Sequence, residues 1–217
     1  MNTRTHKLNL LFEKFAKDVP EYKSRFTKDG IINEELFNET TPKILFIGKE
    51  PNNPEGTIGD FREDWNLGVS YTFARRIAEW SYGIINSFPE FDSIVTQPGS
   101  LEKSLKQIAF MNIKKSGGKG SSEYNTMMVH ATRNVGLINE QIEIISPDII
   151  ITGTSWPELR NCIFPSVEWQ PSGYGIEIGK IRNSKIIDFY HPSSRNAPAA
   201  AYSLLQNILR SEKFKSL

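Results

Sequence analysis

The sequence predicts an α/β protein: a three-layer α/β/α arrangement around a central, mostly parallel sheet of four strands. Three observations carry that expectation. Four short segments, residues 44–47, 108–111, 148–152 and 185–190, are rich in Ile and Phe, and their near-continuous apolar character suits strands covered on both faces. Each breaks sharply into Gly or polar residues. Stretches of helical period lie between them, the alternation expected of a parallel sheet. A length of 217 residues suits a single domain spanning 1–217, with residues 1–41 as an N-terminal helix and connection packed on it.

Taken in order, residues 5–19 carry Leu8, Leu11, Phe12, Phe15 and Val19 at helical spacing among Lys and Glu, which predicts an amphipathic helix. A polar, turn-rich connection follows to about residue 41. The first strand then opens into Gly48-Lys49-Glu50-Pro51-Asn52. Residues 51–70 hold Pro51, Pro54, Gly56, Gly59 and Gly68 without a clean period and read as a long loop, a feature that is often functional. Residues 71–88 return to helix, with Phe73, Ile77, Trp80 and Ile84 on one face.

A breaker-rich loop spans residues 89–100, and a helical turn covers 101–106. The second strand ends at Asn112 and enters Lys114-Lys115-Ser116-Gly117-Gly118-Lys119-Gly120-Ser121. Residues 122–146 form the longest helical pattern, with Gly136 a candidate kink and Pro147 a stop. The third strand closes at Gly153-Thr154-Ser155. Ser155 with Pro157 and Glu158 is a helix-start signal for a short helix to about Cys162. Residues 166–182 read as a hairpin or irregular excursion. The fourth strand runs into His191-Pro192-Ser193-Ser194-Arg195-Asn196, and residues 199–213 close the chain with a helix.

Composition narrows the function classes. No apolar run approaches the roughly 20 residues of a membrane span, and the N-terminus lacks the apolar core of a secretory signal. A single cysteine, Cys162, rules out an intramolecular disulfide and any four-cysteine cluster. A cytoplasmic monomer without metal or cofactor is expected. The net charge of +1 decides nothing about nucleic acid by itself, so charge distribution has to.

In a parallel sheet, ligands bind beyond the carboxyl ends of the strands. Glu50, Asn112, Thr154 and His191 would emerge together there. Individually Glu50 reads as a solvated charge or helix cap, Asn112 as a turn former and His191 as structural punctuation. Jointly they supply a carboxylate, an amide and an imidazole, a common active-site inventory. Lys103, Lys106, Lys114, Lys115 and Lys119 fall within one short span around Gly117-Gly118 and Ser121-Ser122. Charge concentrated on small residues suits close approach to phosphates. The segment is not a Walker loop, because Ile113 stands where that motif needs its first glycine.

Gly48-Lys49-Glu50-Pro51-Asn52, the strand ending at Asn112, and His191-Pro192-Ser193-Ser194-Arg195-Asn196 together resemble the ordered motifs of the uracil-DNA glycosylase superfamily, over about residues 42–210. The last segment is most similar to the single-strand-selective monofunctional branch. The resemblance implies a DNA glycosylase that flips a base out of the helix and hydrolyses its N-glycosidic bond, a base-excision repair activity. Glu50 would handle the attacking water and His191 would donate to the base O2. Asn112 would read the base edge, Phe73, Tyr71 or Phe61 would stack on it, and Gly48 and Asn52 would shape its pocket. Lys114, Lys115, Lys119, Ser121, Ser193 and Arg195 would contact DNA. Asn52 stands where the family carries a bulky gate against thymine, and the Asn53-Pro54-Glu55-Gly56 loop departs from the family pattern. A roomier pocket follows as an expectation, extending to bulky modified cytosines of foreign, phage-type DNA. A catalytically silent nucleic-acid binder and a small-molecule nucleotide binder are the rival classes. No lysine is placed by the sequence as a Schiff-base nucleophile, so the expected enzyme is monofunctional.

Overall fold

The computed structural model describes residues 3–53, 58–66, 71–94, 96–118 and 120–217. Helix α1 (Arg4–Asp18) is capped by Thr3, whose hydroxyl accepts from the His6 amide, and buries Leu8, Leu11, Phe12 and Phe15. The expected turn-rich connection instead folds into α2 (Tyr22–Arg25), β1 (Thr27–Lys28), β2 (Gly30–Ile31) and α3 (Glu34–Glu39). Strands this short carry no readable period. The chain continues through β3 (Ile44–Gly48), β4 (Gly59–Asp60), α4 (Phe61–Asn66), α5 (Thr72–Ile85), α6 (Phe91–Ile94), α7 (Ser100–Lys106) and β5 (Ala109–Asn112). Then come α8 (Tyr124–Ile145), β6 (Ile149–Thr152), α9 (Pro157–Ile163), β7 (Gln170–Pro171), β8 (Glu177–Ile181), β9 (Ser184–Asp188), α10 (Pro198–Arg210) and α11 (Glu212–Lys215).

The result is a mixed α/β fold around a mostly parallel sheet. Among the described residues that sheet has seven strands in the order β2-β5-β3-β6-β9-β8-β7, rather than the four expected. The four expected strands form its parallel centre. Antiparallel β2 extends one edge, and β8 and β7 extend the other. The hairpin expected within residues 166–182 is thus part of the sheet.

Alternate residues of each central strand feed two apolar clusters. Leu45, Ile47, Met111, Ile150 and Ile186 join one, with Phe15, Ile138 and Leu159. Ile44, Phe46, Phe110, Ile151 and Ile187 join the other, with Trp65, Ile77, Trp80 and Leu205. Each fully buried Leu, Ile or Phe contributes roughly 1.5–3 kcal/mol, so the continuous apolar runs of the central strands are what commits them to the interior.

Two local expectations are corrected. Helix α8 runs through Gly136 without interruption. Ser155 adopts a left-handed conformation (φ 64°) and makes no cap; Trp156 takes the cap position of α9, with Pro157 next. The loop 51–70 contains β4 and α4, while residues 54–57 and 67–70, and with them the Pro54-Glu55-Gly56 segment, lie outside the described residues.

Candidate active site

The parallel register aligns the strand ends: Gly48 opposes Asn112 across β3 and β5, and Ile47 opposes Thr152, which in turn opposes Asp188. The residues that leave the sheet there therefore converge on one side. They line a cavity of about 1000 Å³ whose wall includes Lys49, Glu50, Asn52, Phe73, Asn112 and His191, at the upper end of the range for small-molecule pockets. Tyr71, Phe61, Ser121 and Ser193 also line it. Thr154 does not; it is fully buried.

Asn112 is almost fully buried, and its Nδ2 has no hydrogen-bond partner among the described residues. Its position is fixed from two sides. The backbone amide donates to Asp29 Oδ2 at 2.8 Å. A Cβ on Gly48 would lie 2.8 Å from Asn112 Oδ1 and 3.1 Å from the Phe110 ring, so glycine at 48 is what lets the amide approach the strand. A buried donor without a partner is uncommon in a folded protein, and this one belongs to a residue on the cavity wall.

Glu50 is held by the loop that follows β5. Its carboxylate pairs with Lys114 Nζ at 2.8 Å, both side chains being nearly buried, and Lys114 also donates to the Gly117 carbonyl. The loops dock through the Gly118 amide, which donates to the Pro51 carbonyl, and through a bridge between Asn52 and Gly118. A Cβ on Gly118 would fall 2.1 Å from the Glu50 carboxyl carbon. The Gly117-Gly118 pair thus serves packing against residues 50–53, not flexibility.

This corrects the reading of the lysine run. Lys115 is fully buried; its Nζ donates to both carboxylate oxygens of Asp29 at 2.9 Å and to Gln141 at 2.7 Å. Burial pushes its ammonium below the usual lysine range, and Asp29 opposes that. Lys115 cannot touch a phosphate. Lys114 is committed to Glu50 and is likewise no free phosphate contact. Lys103 and Lys106 belong to α7, ahead of β5, and do not line the cavity. Lys119 lies outside the described residues. Ser121 and Arg195 are exposed, as is Ser193, and remain available to a backbone.

His191 follows β9. Its Nδ1 accepts from the Ser193 amide at 3.2 Å, which leaves the ring proton on Nε2 in the neutral imidazole. Burial, with the nearby Lys49 charge, lowers its pKa from 6.5 to about 4. The native fold refuses a proton that the unfolded chain accepts below about 6.5. This contribution to stability is therefore complete above pH 6.5 and is lost as pH falls through about 4. An imidazole NMR titration should show the His191 midpoint near 4; a midpoint at 6 or above would contradict the burial argument.

The aromatic wall has an internal order. The Phe73 ring centroid lies 5.4 Å from that of His191. Phe61 packs edge-on against Phe110 and Trp65. Tyr71 is anchored by its hydroxyl, which accepts from Trp65 Nε1 at 2.6 Å, with the side chain otherwise half exposed.

Several lining residues were not singled out in the sequence. Trp156 and Lys49 are among them, with Lys49 Nζ 4.5 Å above the Trp156 ring centroid. Both were within reach of the strand-end argument, since each lies in a segment that follows a central strand. Thr27, Asp64 and Phe110 also line the cavity, and Asp29 stands behind it. For Thr27 and Asp29 the sequence held no signal, as they sit in or beside two-residue strands. No three His, Cys, Asp or Glu side chains gather as metal ligands among the described residues, and no described helix is long and apolar enough to cross a membrane. Compared with known proteins, the chain matches no family and no curated protein.

Proposed function

We propose that the chain is a DNA glycosylase on a three-layer α/β/α fold of the uracil-DNA glycosylase type, hydrolysing the N-glycosidic bond of an extruded pyrimidine. The observation that carries this reading is the gathering of Glu50, Asn112 and His191 on one cavity wall, with the Asn112 amide buried and unpartnered. The two apolar clusters, each fed by alternate residues of the same strands, support the layering.

The chemistry follows from charge. Breaking the bond leaves positive charge on the sugar and negative charge on the departing base. The Glu50 carboxylate suits orienting a water and opposing the sugar cation. The neutral His191, with its proton on Nε2, is a preorganised donor to the base O2 that needs no proton transfer to act. Asn112 offers a donor and an acceptor to the base edge. Phe73, against His191, is the ring best placed to stack on that base. Ser121, Ser193 and Arg195 supply exposed groups for the backbone.

The cavity volume favours a second reading within the same chemistry. A space of about 1000 Å³, with Asn52 in place of a bulky gate, suits a pyrimidine carrying a large 5-substituent, such as a modified cytosine of foreign DNA. A silent binder would need neither the carboxylate nor the imidazole. The test is base release from labelled oligonucleotides holding uracil, mismatched thymine or 5-substituted cytosines, single- and double-stranded, followed by alkali. Release from any member supports the class, and the rank order separates the two substrates. Silence with salt-sensitive DNA binding leaves the silent binder, and silence without DNA binding ends the glycosylase reading.

A further inference from the structure

We infer that Lys49 gives the chain a second activity on the product of the first: its Nζ forms an imine with the C1′ aldehyde of an abasic deoxyribose and drives elimination of the 3′ phosphate. The inference rests on the glycosylase reading for the origin of the abasic site, and it changes the expectation of a monofunctional enzyme.

The position of Lys49 is the first ground. It lies between Gly48 and Glu50 at the end of β3, which is flanked by β5 and β6 in the sheet. It lines the same cavity as Glu50 and His191, so a sugar carbon held between those two groups is held within the same walls as this amine. Lys49 also differs from Lys114, the lysine that pairs with Glu50 behind the cavity wall. Lys114 is neutralised by Glu50, whereas Lys49 makes no ion pair among the described residues and rests its Nζ on the face of Trp156. That ring is itself steadied edge-on by Tyr124, at 5.5 Å. Burial pushes the Lys49 ammonium below the usual lysine range, and the Glu50 charge opposes this without reversing it. A partly desolvated lysine without a paired carboxylate is how proteins prepare an amine nucleophile.

The steps balance without an added reagent. The uncharged Nζ attacks the C1′ carbonyl of the ring-opened sugar, and the carbinolamine loses water to a protonated imine. The imine acidifies C2′, whose proton passes to the Glu50 carboxylate on the same cavity wall. The C3′–O bond then breaks, the 3′ phosphate leaves with the bonding pair, and hydrolysis of the unsaturated imine returns the lysine. A lysine at this place could instead hold a phosphate as a point charge, and the experiment separates the two roles.

The full chain is incubated with an oligonucleotide containing a preformed abasic site, in the presence of sodium borohydride, which reduces an imine to a stable amine. A covalent protein–DNA adduct is expected, with the modified tryptic peptide carrying the sugar on Lys49. Lys49→Arg, which keeps the charge, and Lys49→Met should both lose the adduct. No adduct from the unsubstituted chain overturns the inference, as does an adduct on another amine that Lys49→Arg retains. Because the abasic site is preformed, the outcome does not depend on base release. Base release without an adduct sinks the imine step alone. An adduct without release from any pyrimidine sinks the glycosylase reading and leaves the imine chemistry standing.

Discussion

Replacing Lys115 with alanine should destabilise the protein by about 3–5 kcal/mol, the usual result of removing one member of a buried ion pair. The loss would be a large share of the roughly 5–15 kcal/mol that holds a typical domain together. The reason lies in what remains behind. Asp29 is fully buried and takes hydrogen bonds from Lys115, from Gln141 Nε2 at 2.8 Å and from the Asn112 amide. Without the ammonium its carboxylate is an uncompensated charge in the interior. The Lys115 amide also donates to the Tyr22 hydroxyl, whose own ionisation is pushed up chiefly by burial. The damage should therefore spread from the floor of the cavity toward α1 and α2. Urea denaturation of Lys115→Ala beside the unsubstituted chain measures it. A change under 1 kcal/mol would mean that the pair is not the strut described here. The double replacement Lys115→Met with Asp29→Asn should recover part of the loss, since it removes the stranded charge.

For Glu50→Gln the expected result is a 10²- to 10⁴-fold slower base release, the range assigned to a positioned acid–base group, with DNA affinity nearly unchanged. Glutamine keeps the shape and much of the hydrogen bonding but offers no negative charge to the sugar cation and no base to the water. It also leaves the nearly buried Lys114 ammonium without a compensating charge, so some stability is lost as well. Single-turnover release, corrected for the folded fraction, separates the two effects. Wild-type release by Glu50→Gln would remove Glu50 from the water-handling role. The present ion pair is part of the same question, since Lys114 at 2.8 Å from the carboxylate opposes some of its effect on a developing cation.

The centre of the fold was legible because its signals were strong. Ile44 to Ile47 and Ile149 to Ile151 are apolar without relief, and such runs fit only a strand buried on both faces. The convergence of Glu50, Asn112 and His191 then followed from parallel register alone. What escaped was of two kinds. The edge strands β2 and β7 have two residues each, too few for any period to show, and β8 was read only as part of a hairpin or irregular excursion, so the sheet grew from four strands to seven. The lysine run misled for a different reason. Lys114 and Lys115 are adjacent and look alike in sequence, yet their partners Glu50 and Asp29 lie 64 and 86 residues away. No local pattern distinguishes a lysine awaiting a phosphate from one already answered by a distant carboxylate. The glycines beside them were read as pliancy when they are close-packing positions.

The Asp29 knot has a consequence for how the protein reaches its native state. Its three contacts close separations of 83, 86 and 112 residues, whereas helices such as α5 need only their own neighbours. Contacts of long separation are the slow ones to form, because chain entropy must be lost before they return any energy. The backbone of Asn112 is thus pinned through Asp29 to two distant parts of the chain, and the cavity wall needs both of them. A nascent chain released up to residue 112 has Asp29 but not Gln141. A fragment begun at residue 42, where the recognisable motifs start, has Gln141 but not Asp29. Neither fragment holds the full set of contacts around Asp29 that fixes the Asn112 amide.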